Sequence, residues 1–92
     1  MTIKKLSKMP YAQAHIEIRE NAISLFSYVT LVAAIDNDGW LTVYGLHSQT
    51  TRKHIGAFCK EYANCDYHTA KQIYNDGYKF NIHTGEIVEI GD

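Results

Sequence analysis

The residues best suited to chemistry stand together in one fifteen-residue run, Tyr44 to Phe58, YGLHSQTTRKHIGAF. It joins the end of a strand to a helix start rich in hydroxyls, with two cations and two histidines. The free N–H groups and positive dipole end of a helix attract anions. Ser48, Thr50 and Thr51 with Arg52, Lys53 and His54 would strengthen that attraction, so a phosphate or an acidic side chain is one candidate ligand. The competing reading is structural: Ser48 or a threonine caps the helix, Arg52 and Lys53 are solvated, and His54 flanks the core beside Phe58. No glycine-rich loop precedes the run, which excludes a P-loop of the nucleoside-triphosphatase type.

Other chemistries fit less well. A nucleophile needs a base within reach, and Ser48 with His47 or His54 is the only pairing close in sequence. Neither adjacency on a strand nor a spacing of six on a helix aims one side chain at the other. Cys59, Cys65 and His68 have a C-x5-C-x2-H spacing that could hold zinc with a fourth ligand such as His83, but the tight Cys pair of most structural zinc sites is missing. The chain is therefore expected to need no cofactor or metal. Asp36-Asn37-Asp38-Gly39 lacks the glycine and glutamate positions of a calcium loop and reads as a hairpin turn.

These side chains must be positioned by elements that the rest of the sequence specifies. Ala14, Ile16 and Ile18 alternate with His15, Glu17 and Arg19, the period of a half-buried strand, with a helix from Pro10 as the competing reading. Ile23 to Ile35 reads as one long central strand and Trp40 to Tyr44 as its antiparallel return. Thr51, Ile55, Phe58, Cys59 and Tyr62 mark one face of an amphipathic helix that ends at Ala63 and Asn64. Asp66 can cap a second helix that Gly77 stops. Tyr78 to Ile82 and Glu86 to Ile90 form a closing hairpin around His83, Thr84 and Gly85. The expected fold is α+β: an antiparallel sheet, a three-strand meander plus a C-terminal hairpin in the order βββααββ, with two helices packed on one face.

Composition bounds the function. The 92 residues are 46% hydrophobic with seven tyrosines, the profile of one globular domain. A single domain is expected over residues 11–92, with residues 1–10 a flexible basic arm carrying Lys4, Lys5 and Lys8. The formal net charge of −1 is spread evenly: residues 1–46 carry four cations and four anions, and residues 47–92 five cations and six anions. Proteins that hold duplexes through phosphates show a basic excess, so a duplex-binding surface is not expected. The start MTIKKLSKMP is too polar for the apolar segment of a signal, and no run approaches the length of a membrane span. A cytoplasmic protein with reduced thiols is expected. Tyr28, Trp40 and Tyr44 lie on strands, and those that escape the core would form a binding strip or a homodimer contact.

Residues 27–36 and 43–58, SYVTLVAAID and VYGLHSQTTRKHIGAF, resemble a family of short uncharacterised proteins from bacteriophages and mobile elements of Gram-positive bacteria. Ser27, Tyr28, Thr30, Val32, Gly45, Ser48, Thr50, Thr51, His54, Ile55 and Phe58 carry the resemblance, including an S-x-T-T-x-x-H-I block. It implies a small intracellular accessory protein, a setting that also contains inhibitors of host defence such as anti-CRISPR proteins. The expectation is thus a non-enzymatic protein that binds a macromolecule, with a protein partner, a host defence nucleoprotein being one candidate, contacted through Tyr44, Ser48, Thr50, Arg52, Lys53 and His54. The alternative is a nucleic-acid-binding module that combines the Arg52 and Lys53 helix start with exposed tyrosines.

Overall fold

The computed structural model describes residues 1–91. Five strands come first: Thr2–Lys4 (β1), Ala14–Ile18 (β2), Ala22–Ser27 (β3), Thr30–Asp36 (β4) and Trp40–Val43 (β5). Helices Gln49–Phe58 (α1) and Tyr67–Asp76 (α2) follow, and Tyr78–Asn81 (β6) and Ile87–Glu89 (β7) end the described chain. The strands make one antiparallel sheet in sequence order, β1 through β7. The α+β class agrees with the sequence reading, and the order does not: two strands were missed, and the observed succession is βββββααββ.

One missed strand hides in Ile23–Ile35, which is a hairpin and not a single strand. Ser27 pairs with Thr30 across a two-residue turn, Tyr28-Val29. Tyr28 takes φ 59°, the left-handed region that glycine, asparagine and aspartate normally occupy in turns. No turn residue marks the place. The backbone N–H of Tyr28 instead donates to the carbonyl of Gln13, at 2.7 Å. The same hairpin contains a bulge: Leu25 pairs with Ala33 but Phe26 with Leu31, so Val32 is the extra residue. Val32 and Ala33 are consequently both buried, which breaks the strict alternation of the strand.

The other missed strand is in residues 1–10. These were expected as a loose arm outside the domain, yet Thr2–Lys4 pairs with β2 as the sheet edge, and Leu6 is fully buried in the core. A single leucine among polar neighbours gives no periodicity, so this anchoring had no pattern to announce it.

Ile16, Leu25, Ala33 and Val43 form a buried row across β2 to β5. The helices lie on that face, α1 against β3 and β4 and α2 against β5 and β6. The turns are built as their residues dictate. Asp36 Oδ1 accepts from the N–H groups of Asp38 and Trp40, both at 2.9 Å, and Gly39 supplies φ 89°. Asn81 Oδ1 accepts from the N–H groups of His83 and Thr84, while its Nδ2 donates to the carbonyl of Asp38, tying the two turns together. Asp66 caps α2 by accepting from Thr69 N–H, and Gly77 at φ 72° closes it.

Candidate functional site

The helical period divides the Tyr44–Phe58 run into two populations that face opposite ways. On α1, Thr51, His54, Ile55 and Phe58 are buried, while Gln49, Thr50, Arg52 and Lys53 are exposed. Ser48 is the N-cap: its Oγ accepts from Thr51 N–H at 3.1 Å. The hydroxyl proposed from sequence as an anion contact is therefore committed to the backbone.

His54 faces the sheet with 1% of its surface exposed. Its Nδ1 is 2.9 Å from Ser27 Oγ, which is also 3.0 Å from Thr51 Oγ1, and Ser48 Oγ donates to Thr51 Oγ1 at 3.2 Å. Hydrogens run without conflict from Ser48 to Thr51, to Ser27, to Nδ1 of His54, which requires a neutral imidazole with its proton on Nε2. Burial pushes the His54 pKa below its ordinary value and so favours that form. The strained Tyr28 lays its ring near the imidazole, with centroids 6.2 Å apart. Ser27 thus partners a histidine 27 positions away in sequence, a pairing that local spacing could not reveal. With 2% of Ser27 exposed, the pair bonds the sheet to the helix and offers no surface to a ligand.

The outward population, apart from Thr50, lines a groove of about 990 Å³ between α1, the start of α2 and residues 7–9. Gln49, Arg52, Lys53, Gly56, Ala57 and Lys60 make the α1 wall, at the i, i+3, i+4, i+7, i+8 and i+11 positions of one helical stripe. Lys8 and Met9 stand on one side, and Tyr67, His68 and Lys71 on the other. Lys8, Arg52, Lys53, Lys60 and Lys71 are five of the nine cations of the chain, whereas Glu61 and Asp66 are two of its ten carboxylates.

Both carboxylates are already engaged. Glu61 accepts from Ser7 N–H at 2.9 Å and from Ser7 Oγ at 2.8 Å, which fastens the first ten residues to the far end of the helix. Asp66 caps α2, and the Thr69 N–H holds its carboxyl below the usual range. Among the described residues the cations have fewer internal partners: the one bond among them is from Arg52 Nε to the carbonyl of Leu46, at 3.3 Å. Asp36 and Asp38 of the β4–β5 turn, which is tied to the last hairpin through Asn81, lie outside the groove. Folding therefore gathers cations around the groove that the even charge of the two sequence halves does not reveal.

The remaining candidates lie elsewhere. Tyr44 is half exposed at the end of β5 and does not line the groove. Nor do the other exposed tyrosines, Tyr11, Tyr28 and Tyr74. Cys59 and Cys65 are free thiols on the turn that follows α1; donation to Cys65, together with burial, raises the pKa of Cys59, and accepting that bond lowers the pKa of Cys65. Cys59–Ala63 is a π-helical turn, closed by Asn64 in the left-handed conformation. His83 packs against Gly39. Among the described residues no three His, Cys, Asp or Glu side chains converge as metal ligands, and no helix is long and apolar enough to cross a membrane.

The model of a family of unknown function, DUF8033, matches residues 1–78, a span that takes in every residue lining the groove. Comparison with curated proteins and with solved structures gave no match.

Proposed function

We propose that this chain, which belongs to the DUF8033 family, is a non-enzymatic binding protein that holds the anionic surface of a macromolecular partner in the groove outside α1. The observation that carries this reading is the gathering of five of nine cations around one concavity in a chain of net charge −1. Cations in such proximity repel one another and persist where a partner neutralises them. The two nearby carboxylates are bonded to Ser7 and to the α2 backbone, so they oppose the attraction only in part. Ser27 and His54, a hydroxyl–imidazole pair near the helix start, are enclosed, which supports assigning the binding role to the exposed face.

The resemblance of residues 27–36 and 43–58 to small phage and mobile-element proteins supports an accessory protein of the cytoplasm. In that setting a protein partner drawn from host defence, inhibited in the anti-CRISPR manner, is the reading we favour. A second reading, a nucleic-acid module, draws on the same cations. It loses one of its supports, because none of the exposed tyrosines lines the groove.

Affinity capture of the tagged chain from host lysate, with and without nuclease, tests the reading. The expected result is a stoichiometric protein that survives nuclease and is lost from the triple variant Arg52→Ala, Lys53→Ala, Lys60→Ala. Capture unaffected by the triple variant would remove the groove from the account. Recovery of nucleic acid alone would move it to the second reading.

A further inference from the structure

The floor of the groove is unlike its rim. Between Arg52 and Lys53 at one end and Lys60 at the other, the α1 wall drops to Gly56 and Ala57, with Met9 and Tyr67 to either side. Glycine in a helix interior is about 1 kcal/mol less favourable than alanine, and the fold does not demand it here: a Cβ at Gly56 would meet only Tyr67 Cβ, at the ordinary contact distance of 3.4 Å. Ala57 beside it is half-buried. The outcome is a smooth apolar trough running along a ten-residue helix and bounded by cations at both ends.

Resting on the binding function proposed above, we infer that the occupant of this groove is an acidic amphipathic α-helix of a partner protein. Its apolar stripe would sit over Gly56 and Ala57 between Met9 and Tyr67, and its carboxylates would meet Arg52, Lys53, Lys60, Lys71 and Lys8. Small residues on one helix let a second helix approach closely, and a helix laid in an apolar groove is read through anchors at helical spacing. The charge of the rim selects an acidic sequence, while the floor selects its apolar stripe. A nucleic-acid strand uses such a surface less completely. Its bases want aromatic faces to stack on, and the groove offers a single half-buried tyrosine, Tyr67, with every exposed tyrosine outside it.

The test uses the full chain, isotope-labelled, titrated with three probes: a fourteen-residue helix-stabilised peptide with glutamates on one face and leucine and alanine on the other, its scrambled isomer of identical composition, and a twelve-nucleotide oligothymidylate. The amphipathic peptide is expected to bind at least tenfold more tightly than the scramble and to shift the amides of residues 52–60 together with Met9. Gly56→Leu fills the floor and leaves every cation in place. It should abolish the preference for the amphipathic peptide, with Ala57→Met as a second floor-filling variant and the unfolding midpoint of each as the control for folding. Equal binding of peptide and scramble, tighter binding of the oligonucleotide, or concentration-dependent shifts of the same amides in the chain alone would each overturn the inference, the last by giving the groove to a second copy. Cation-dependent capture of a protein from lysate would still support the proposed function if the peptide arm failed, so the two can fail separately.

Discussion

The two sides of α1 are separated by less than the width of a helix and solve opposite problems. The inner side takes polar groups, Thr51 and His54, and satisfies them one by one against Ser27 and Ser48 until the helix is bonded to the sheet. The outer side takes charges and leaves them open, around a floor of Gly56, where the fold leaves room for a Cβ, and Ala57. Polar chemistry turned inward becomes structure, and charge turned outward without partners remains available for binding. If this division holds, stability and partner binding should respond to different residues of the same ten-residue helix.

The largest effect on stability should come from the inner apolar anchor. Phe58 is fully buried and packs against Tyr62 with ring centroids 5.5 Å apart, so Phe58→Ala should cost about 3–5 kcal/mol through lost burial and the cavity left behind. Urea unfolding measures it. An effect below about 1 kcal/mol would mean that the inner stripe is not the core side of the helix and would break the comparison at its base.

The polar network should come next. Ser27→Ala removes the partner of His54 Nδ1 and of Thr51 Oγ1 at once, and a buried group left without its bond costs about 1–3 kcal/mol. The same network predicts the direction of a pH effect. The folded pKa of His54 is lowered from 6.5 by burial, so in acid the unfolded chain binds a proton that the folded chain resists. Stability is then full above pH 6.5 and falls as the pH drops from there through the lowered pKa. His54→Gln should flatten that part of the stability profile. A profile identical to that of the unsubstituted chain would assign the acid sensitivity to another group.

How much of this was legible beforehand depends on which physical signal each feature sends. α1, the Asp66 cap and the Gly77 stop are local, set by period and by residues that bond their own backbone, and were readable, whereas the α1 cap was narrowed only to Ser48, Thr50 or Thr51 before the structure assigned it to Ser48. The hairpin at Tyr28-Val29 was not, because a tyrosine with φ 59° occupies a turn position that turn chemistry assigns to other residues. Leu6 was not, because one anchoring leucine has no period. The Ser27–His54 pair and the groove share a deeper reason. Both are made by contacts between elements distant in sequence, and the charge balance of each half of the chain gives no hint that Lys8, Arg52, Lys53, Lys60 and Lys71 will meet. Of the residues first proposed as contacts, Arg52 and Lys53 are in the groove, while Ser48 and His54 serve the interior and Tyr44 lies at the sheet end.

A smaller effect is expected at the cap, which belongs to both sides. Ser48→Ala removes the acceptor for Thr51 N–H and the donor to Thr51 Oγ1, and cap losses are typically about 1 kcal/mol. Ser48→Asp keeps the acceptor and adds a negative charge favoured at a helix start, so it should recover most of the loss. If alanine and aspartate were equally damaging, the hydroxyl's donation to Thr51 would be the bond that matters, and the cap would belong to the inner network alone.

The smallest effect on stability sharpens the comparison most. Arg52 and Lys53 are exposed, and the bond from Arg52 Nε to the Leu46 carbonyl is long at 3.3 Å. Replacing both by alanine removes two like charges from a crowded rim and adds helix propensity, so the unfolding midpoint should stay where it is or rise slightly. Partner capture should nevertheless be lost. That pattern, binding removed at no expense in stability, is the reverse of the one expected for Ser27→Ala, in which stability falls while the rim keeps its charges. A double variant that unfolds at markedly lower urea would show that the outer cations hold the helix in place, and the separation of the two sides of α1 into structure and function would have to be abandoned.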